Sequence, residues 1–253
     1  MPVLTEHDGL LKGGVSGITM ALSPDAYWRL SDVGFGTAED ISGNGYNGTI
    51  TGTPGIVQPG AIAGDTGAAS SYVRGNPDYI AVTTMGSFGS SMATCSASCW
   101  VRTSNTSDIM HIFGATNTAG GDGTNWRLLL NADQNGTLSS GKVECLLRAS
   151  NSKRLRGATS SATSVNNGGW HHVALVCVAS TNTLTFYVDG TAQSTSYKFQ
   201  ETAATFNNLN PAMELGRQNN GANPYTGDLA EVAMWTRALT QQEISLLSAQ
   251  GIN

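Results

Sequence analysis

Charge is scarce in this sequence. Only 12% of the residues are Asp, Glu, Lys or Arg, about half the share near 25% that is usual in soluble domains. A basic excess is also missing. The 13 Lys and Arg stand against 18 Asp and Glu, for a formal charge of −5, which argues against a nucleic-acid partner because such proteins carry a clear positive balance. Long hydrophobic runs are absent, and no stretch approaches the roughly 18 apolar residues of a membrane span. Met1 to Asp8 carries acids and a His where an export leader would carry basic residues before an apolar run. Cysteine is sparse, at four residues: Cys95, Cys99, Cys145 and Cys177. Cys95 and Cys99, four apart in a strand-like run, would lie roughly 13 Å apart on one face, too far to bridge. No further ligands accompany them, so buried free thiols are expected, in keeping with synthesis in a reducing cytosol.

What the chain does have is 31 glycines and 40% hydrophobic residues in strand-like runs, which excludes a disordered chain. Turn signals recur every 8–15 residues from Ala26 onward, the spacing of a β-sandwich or barrel. Leu184, Phe186 and Val188 alternate with Thr185, Tyr187 and Asp189, the period of a half-buried strand. Val173 to Val178 is apolar almost throughout, as in a strand covered on both faces. Further strands are expected at 26–30, 79–82, 93–102, 109–114, 126–131, 142–148, 212–216 and 228–235. One helix is signposted near the end, over about three turns. Thr240 and Glu243 form a capping box, Leu239 and Ile244 a hydrophobic staple, and Gly251 stands where a helix would stop.

Several segments resemble laminin-G-like domains of the concanavalin A-like superfamily. They are Tyr27-Trp28-Arg29-Leu30 followed by Asp40 to Gly48, then Asn76 to Val82 and Ser98-Cys99-Trp100-Val101-Arg102. The most specific is Gly169-Trp170-His171-His172-Val173-Ala174 leading to Phe186-Tyr187-Val188-Asp189-Gly190. Gly227 to Val232, Trp235 and the capped helix complete the series. The resemblance implies an all-β, two-sheet antiparallel jelly-roll sandwich over residues 26–253, with ligand or calcium sites at the rim. Residues 1–25 then read as an arm or an edge strand. Val3, Leu4, Leu10, Leu11, Val15, Ile18, Met20 and Leu22 suit residues 1–24 to a protein partner or a second copy of the chain.

Chemistry for hydrolysis is not apparent. A glycosidase needs two carboxylates facing one bond, and acids share a strand face only at spacings of two or four. Asp228 and Glu231 are three apart and should point to opposite faces. Gly43 to Gly48 fits GxGxxG, but no helix follows it, so it is a glycine-rich turn. His171 and His172 should face opposite sides of their strand, towards the sheet edge and the core, which prevents chelation by the pair. Arg148, Lys153, Arg154 and Arg156 cluster around an expected turn, as a solvated hairpin tip or a patch for anionic glycans.

Two loops hold sugar-binding chemistry: amides, acid or guanidinium groups, and an aromatic face. One offers Asn117, Asp122, Asn125 and Trp126; the other offers Arg217, Gln218, Asn219, Asn220 and Tyr225. No cofactor is required; the one candidate is a calcium ion near Asp40 and Asn44, with Asp78 as a further ligand, against the alternative that such a turn bonds its own backbone. The functional expectation is a non-catalytic, lectin-like binding or structural domain. One placement is a phage virion protein, on the capsid or tail and made in a host cytoplasm. Its alternatives are a secreted carbohydrate-binding or adhesion module and a glycan-cleaving hydrolase.

Overall fold

The computed structural model describes residues 16–32, 36–63, 67–76, 78–83, 85, 91–116, 125–150, 153–201, 206–207, 212–218 and 221–251. The chain begins with helix α1 (Ser16–Ala21), then β1 (Ala26–Trp28), β2 (Thr37–Ala38), β3 (Gly48–Thr51), β4 (Gly55–Val57) and β5 (Ala69–Tyr72). Next come β6 (Tyr79–Val82), β7 (Ser91–Met92), β8 (Thr94–Arg102), β9 (Met110–Thr116) and β10 (Asn125–Ala132). The strands β11 (Leu138–Ser150), β12 (Lys153–Thr159), β13 (Trp170–Val178), β14 (Thr183–Val188) and β15 (Thr191–Gln193) follow. Then β16 (Thr195–Gln200), β17 (Phe206–Asn207), β18 (Met213–Leu215) and β19 (Gly227–Trp235) lead to helix α2 (Gln241–Ser248).

Two antiparallel sheets form the sandwich. The first has eight strands in the order β15-β14-β13-β8-β19-β5-β4, with β1 also paired to β19; the second has nine, in the order β16-β12-β11-β10-β9-β18-β6-β3-β2. Strand alternation builds the core between them. Cys95, Ala97, Cys99 and Val101 from β8 meet Leu128, Leu130, Val143, Cys145 and Leu147 from β10 and β11. All four cysteines are buried and free. Cys95 and Cys177 are direct cross-strand partners, and Cys177 also reaches Cys145 of the facing sheet.

The apolar run of β13 is explained by a second cluster on the outer face of the first sheet. There Ala174, Val176, Tyr187, Ala233 and Trp235 pack under Leu239, Ile244 and Leu247 of the α2 region, with Ile18, Met20 and Leu22 alongside. Residues 16–21 are therefore neither arm nor edge strand. They form a helix docked on the sandwich, and Leu22 O accepts from Trp235 Nε1 and Arg237 Nη2, both at 3.0 Å. Residues 1–15 lie outside the described residues.

The α2 capping box forms as the sequence requires. The helix is shorter than expected, at eight residues, and ends through Ala249 in a right-handed conformation. Gly251 is not its stop signal. A side chain there would meet the Trp100 ring at 1.9 Å, so glycine is required by close approach. A second correction concerns β19. A bulge between Ala230 and Ala233, with Glu231 at φ 54°, breaks the alternation on which the parity of Asp228 and Glu231 rests. Leu229, Val232 and Met234 fill the inter-sheet core, and both carboxylates leave it. Each meets an arginine: Asp228 pairs with Arg102 at 2.7 Å and Glu231 with Arg29 at 3.3 Å.

Candidate functional site

The loops expected to hold a sugar do not present their aromatic rings. Trp126 is 3% exposed and Tyr225 1%. Trp126 Cβ shares the core side of β10 with Leu128 and Leu130, and its ring meets Phe113 edge-on at 5.1 Å. Tyr225 meets Tyr72 edge-on at 6.2 Å. Neither ring can stack on a ligand without opening the core, which corrects the expected stacking role. Arg217 is engaged by Glu214 at 2.5 Å and lies 3.3 Å over the Tyr79 ring. Gln218 is buried, its backbone N donating to Ala222 O and its backbone O accepting from Gly221 N. Asn125 opens β10, while Asn117, Asp122, Asn219 and Asn220 lie outside the described residues.

Asp40 and Asn44 do come together, in the glycine-rich turn where Gly43 and Gly45 have φ of 92° and 78°. Asp40 Oδ1 accepts from Tyr27 N and Ser42 N, and Oδ2 from Tyr46 N and Ser42 Oγ. Asn44 donates to Asp25 O, and Asp78 accepts from Thr53 N on a different loop. Among the described residues no three His, Cys, Asp or Glu side chains are grouped to hold a metal. A cation at Asp40 would have to replace backbone donors already in place.

A different place has the chemistry the loops lack. The residues Asp189-Gly190 join β14 to β15, and their φ values of 49° and 74° make the two-residue primed turn that Asp-Gly favours. The turn aims the Asp189 carboxylate at the start of β13, where Oδ1 accepts from His172 N at 2.9 Å and Oδ2 meets His171 Nδ1 at 2.7 Å. On the other side of His171, Nε2 meets Asn167 Oδ1 at 2.9 Å. Both ring nitrogens face oxygen acceptors, and a neutral imidazole can donate to only one of them. Helix α2 closes the third side, with Gln241 Nε2 donating to Gly190 O at 2.7 Å.

Between these elements lies a pocket of about 730 Å³ lined by Trp100, Trp170, His171, Asp189, Thr191, Ser245 and Ser248, among others. That volume is within the ordinary range for small-ligand sites. Trp170 is half-buried, and the Arg102 guanidinium lies 4.8 Å from its ring, held there by Asp228. Beneath, His172 is fully buried against Trp100 at 5.3 Å and its Nε2 meets Ser98 Oγ at 2.9 Å. Burial lowers the His172 pKa to about 4. This Ser–His contact is sealed from solvent and does not line the pocket, so it supplies no nucleophile.

Among the described residues the pocket thus offers two indoles, a carboxylate, an imidazole and three hydroxyls, a set that can hold a polyhydroxylated ring. Sequence reasoning stopped short of this site. The signals were Asp189-Gly190 between strands and Trp170 at a strand start, both visible in the sequence, whereas their meeting under a terminal helix was not.

The comparisons with known proteins agree with the fold. A family model described as the concanavalin A-like lectin/glucanases superfamily matches residues 74–245. No curated protein matches the chain by sequence. Among solved structures, domain 4 of AbnA, a GH43 extracellular arabinanase from Geobacillus stearothermophilus solved with arabinotriose, has a TM-score of 0.61 at 20% identity, covering 89% of this chain and 98% of that one. The binding domain of Paraclostridial Mosquitocidal Protein 1 has a TM-score of 0.62 at 18% identity, covering 88% and 51%. A botulinum neurotoxin type C structure, described by that toxin's dependence on two ganglioside molecules for cell entry, has a TM-score of 0.60 at 14% identity, covering 91% and 52%. The chain spans about half the length of the toxin binding domains it matches.

Proposed function

Because the chain belongs to the concanavalin A-like lectin/glucanases superfamily, we propose that it is a non-catalytic carbohydrate-binding domain whose ligand occupies the Trp170–Asp189 pocket. The observation that carries this is the combination there of a half-buried indole, hydroxyls, an imidazole and a single carboxylate. An indole packs on the apolar face of a sugar ring while the polar groups take its hydroxyls. The arabinotriose complex of AbnA domain 4 and the gangliosides of the type C toxin belong to those proteins, and they support the same class of ligand here. The lining supports a binding role without catalysis: hydrolysis needs two carboxylates about 5–9.5 Å apart across the bond, and among the described residues the pocket supplies Asp189 alone.

The test is a glycan array probed with the natural protein, Trp170→Ala and Asp189→Asn. Asn tolerates the left-handed turn position, so this second change alters the carboxylate and spares the fold. Both variants should lose the natural protein's signals. Signals that persist in both would overturn the assignment. Attachment to a phage particle remains the finer proposal, supported by four free, buried thiols. Mass spectrometry of purified particles tests it, and a chain absent from them would remove it.

A further inference from the structure

Presupposing that the pocket is a carbohydrate site, we propose that Asp189 sets which sugars enter it. A sugar docks through two adjacent hydroxyls, and a sugar carrying a carboxylate or sulfate is rejected.

The segments that wall the pocket bring no fixed positive charge. Residues 167–178, 183–193 and 241–251, which include the start of β13, the β14–β15 hairpin and α2, contain neither lysine nor arginine. On β8, which contributes Trp100 to the lining, Arg102 is the cross-strand partner of Trp170 and donates through Nε to Asp228 at 2.7 Å. That guanidinium therefore carries its own counter-charge. The charged side chain of α2, Glu243, pairs with Arg237 at 2.7 Å, outside the lining. His171 turns both ring nitrogens to protein oxygens, Asp189 Oδ2 and Asn167 Oδ1, and neither is left to meet a ligand anion. What remains is the Asp189 carboxylate, with 46% of its side chain exposed, on a protein of formal charge −5. An acidic sugar would give up hydration of its anion and gain no cation in return, and it would be repelled by Asp189.

The same carboxylate is arranged to accept a pair of hydroxyls. Oδ1 takes the His172 N–H and Oδ2 meets His171 Nδ1, two contacts that fix the plane of the group. An ionised carboxylate has about four acceptor sites, so one is left on each oxygen. Two acceptors side by side match two donors side by side, as in a carboxylate meeting an arginine fork, and hydroxyls on neighbouring ring carbons supply such a pair. Ser245 Oγ is committed to Gln241, donating to its O at 2.9 Å and accepting from its Nε2 at 3.1 Å. Thr191 and Ser248 are then the wall hydroxyls for the rest of the ring.

Isothermal titration calorimetry compares the neutral saccharide giving the strongest Trp170-dependent array signal with its monosulfated form and its deoxy analogues. Sulfation should weaken binding to the natural protein at least about tenfold, with the gap narrowing in high salt. In Asp189→Asn, whose affinity for the neutral saccharide is lower, the ratio between the two forms should fall. Removing either hydroxyl of one adjacent pair should weaken binding, and the two losses should not add, because both act through one carboxylate. A sulfated form that binds as well as the neutral one, a ratio unaltered in Asp189→Asn, deoxy analogues that all bind alike, or Trp170-dependent signals confined to acidic glycans would overturn the proposal while leaving the pocket a glycan site. No Trp170-dependent signal at all would overturn the carbohydrate reading, and the proposal with it.

Discussion

Removing the Asp40 carboxylate is the sharpest test of how the glycine-rich turn is held. Four donors converge on it: Tyr27 N at 2.9 Å, Ser42 N at 3.0 Å, Ser42 Oγ at 2.9 Å and Tyr46 N at 2.9 Å. In Asp40→Ala the Tyr27 amide, on a fully buried residue, is left without its acceptor, while the amides of half-buried Ser42 and Tyr46 gain access to water. Bonds to a charged acceptor contribute about 1.5–3 kcal/mol and a buried orphan donor costs about 1–3 kcal/mol, so the expected loss is about 3–5 kcal/mol. Urea titration followed by tryptophan fluorescence should show a lower midpoint at an unchanged slope. A loss below about 1 kcal/mol would refute the reasoning, since even one orphaned buried amide costs that much. The same titration with and without chelator tests the proposed calcium. If the hydrogen bonds alone hold the turn, the variant's deficit is equal in both buffers; if Asp40 and Asn44 hold calcium, the chelator destabilises the natural protein and leaves Asp40→Ala unaffected.

Acid should unfold the protein through its buried histidines. Burial lowers His172 to about 4 and His111 to about 3, below about 6.5 in the unfolded chain; the unfolded state therefore binds protons first, and stability present above pH 6.5 falls by about 1.4 kcal/mol per unit for each histidine as pH drops towards 4. Denaturant titrations from pH 7 to 4.5 should show this decline, shallower in His172→Gln, and a flat profile would contradict it. Gly251→Ala should lower the melting temperature, because its Cβ would clash with Trp100, and an unchanged melting curve would show that the C-terminus does not pack there. The four thiols, all buried, with Cys99 unable to ionise readily because burial raises its pKa, should stay unreactive towards a thiol reagent until denaturant is added; rapid labelling in buffer would contradict the core placement.

Local signals in the sequence carried much of the fold. Leu184, Phe186 and Val188 alternate as a half-buried strand does, and they line the core. Thr240 and Glu243 cap α2 because a capping box is satisfied within four residues. What escaped is what depends on distant partners. Ser16–Ala21 is too short to stand alone as a helix, and it forms against Trp235 and α2, more than 200 residues away. Trp126 and Tyr225 look like sugar-stacking residues beside polar loops, but only the register of β10 and the packing of Tyr225 on Tyr72 show that they face inwards. The bulge at Glu231 broke a parity argument that holds for regular strands. Asp189 and Trp170 were each visible, yet their shared pocket arises from three elements meeting in space.

The central claim is that a glycan sits against Trp170 and Asp189. The most direct measurement is a crystal structure of the domain grown with the strongest ligand from the array. The expected result is a sugar ring packed on the Trp170 indole, with hydroxyls within hydrogen-bond distance of Asp189. A sugar bound instead at the loops around 117–126 and 217–225, with the pocket under α2 unoccupied, would contradict it.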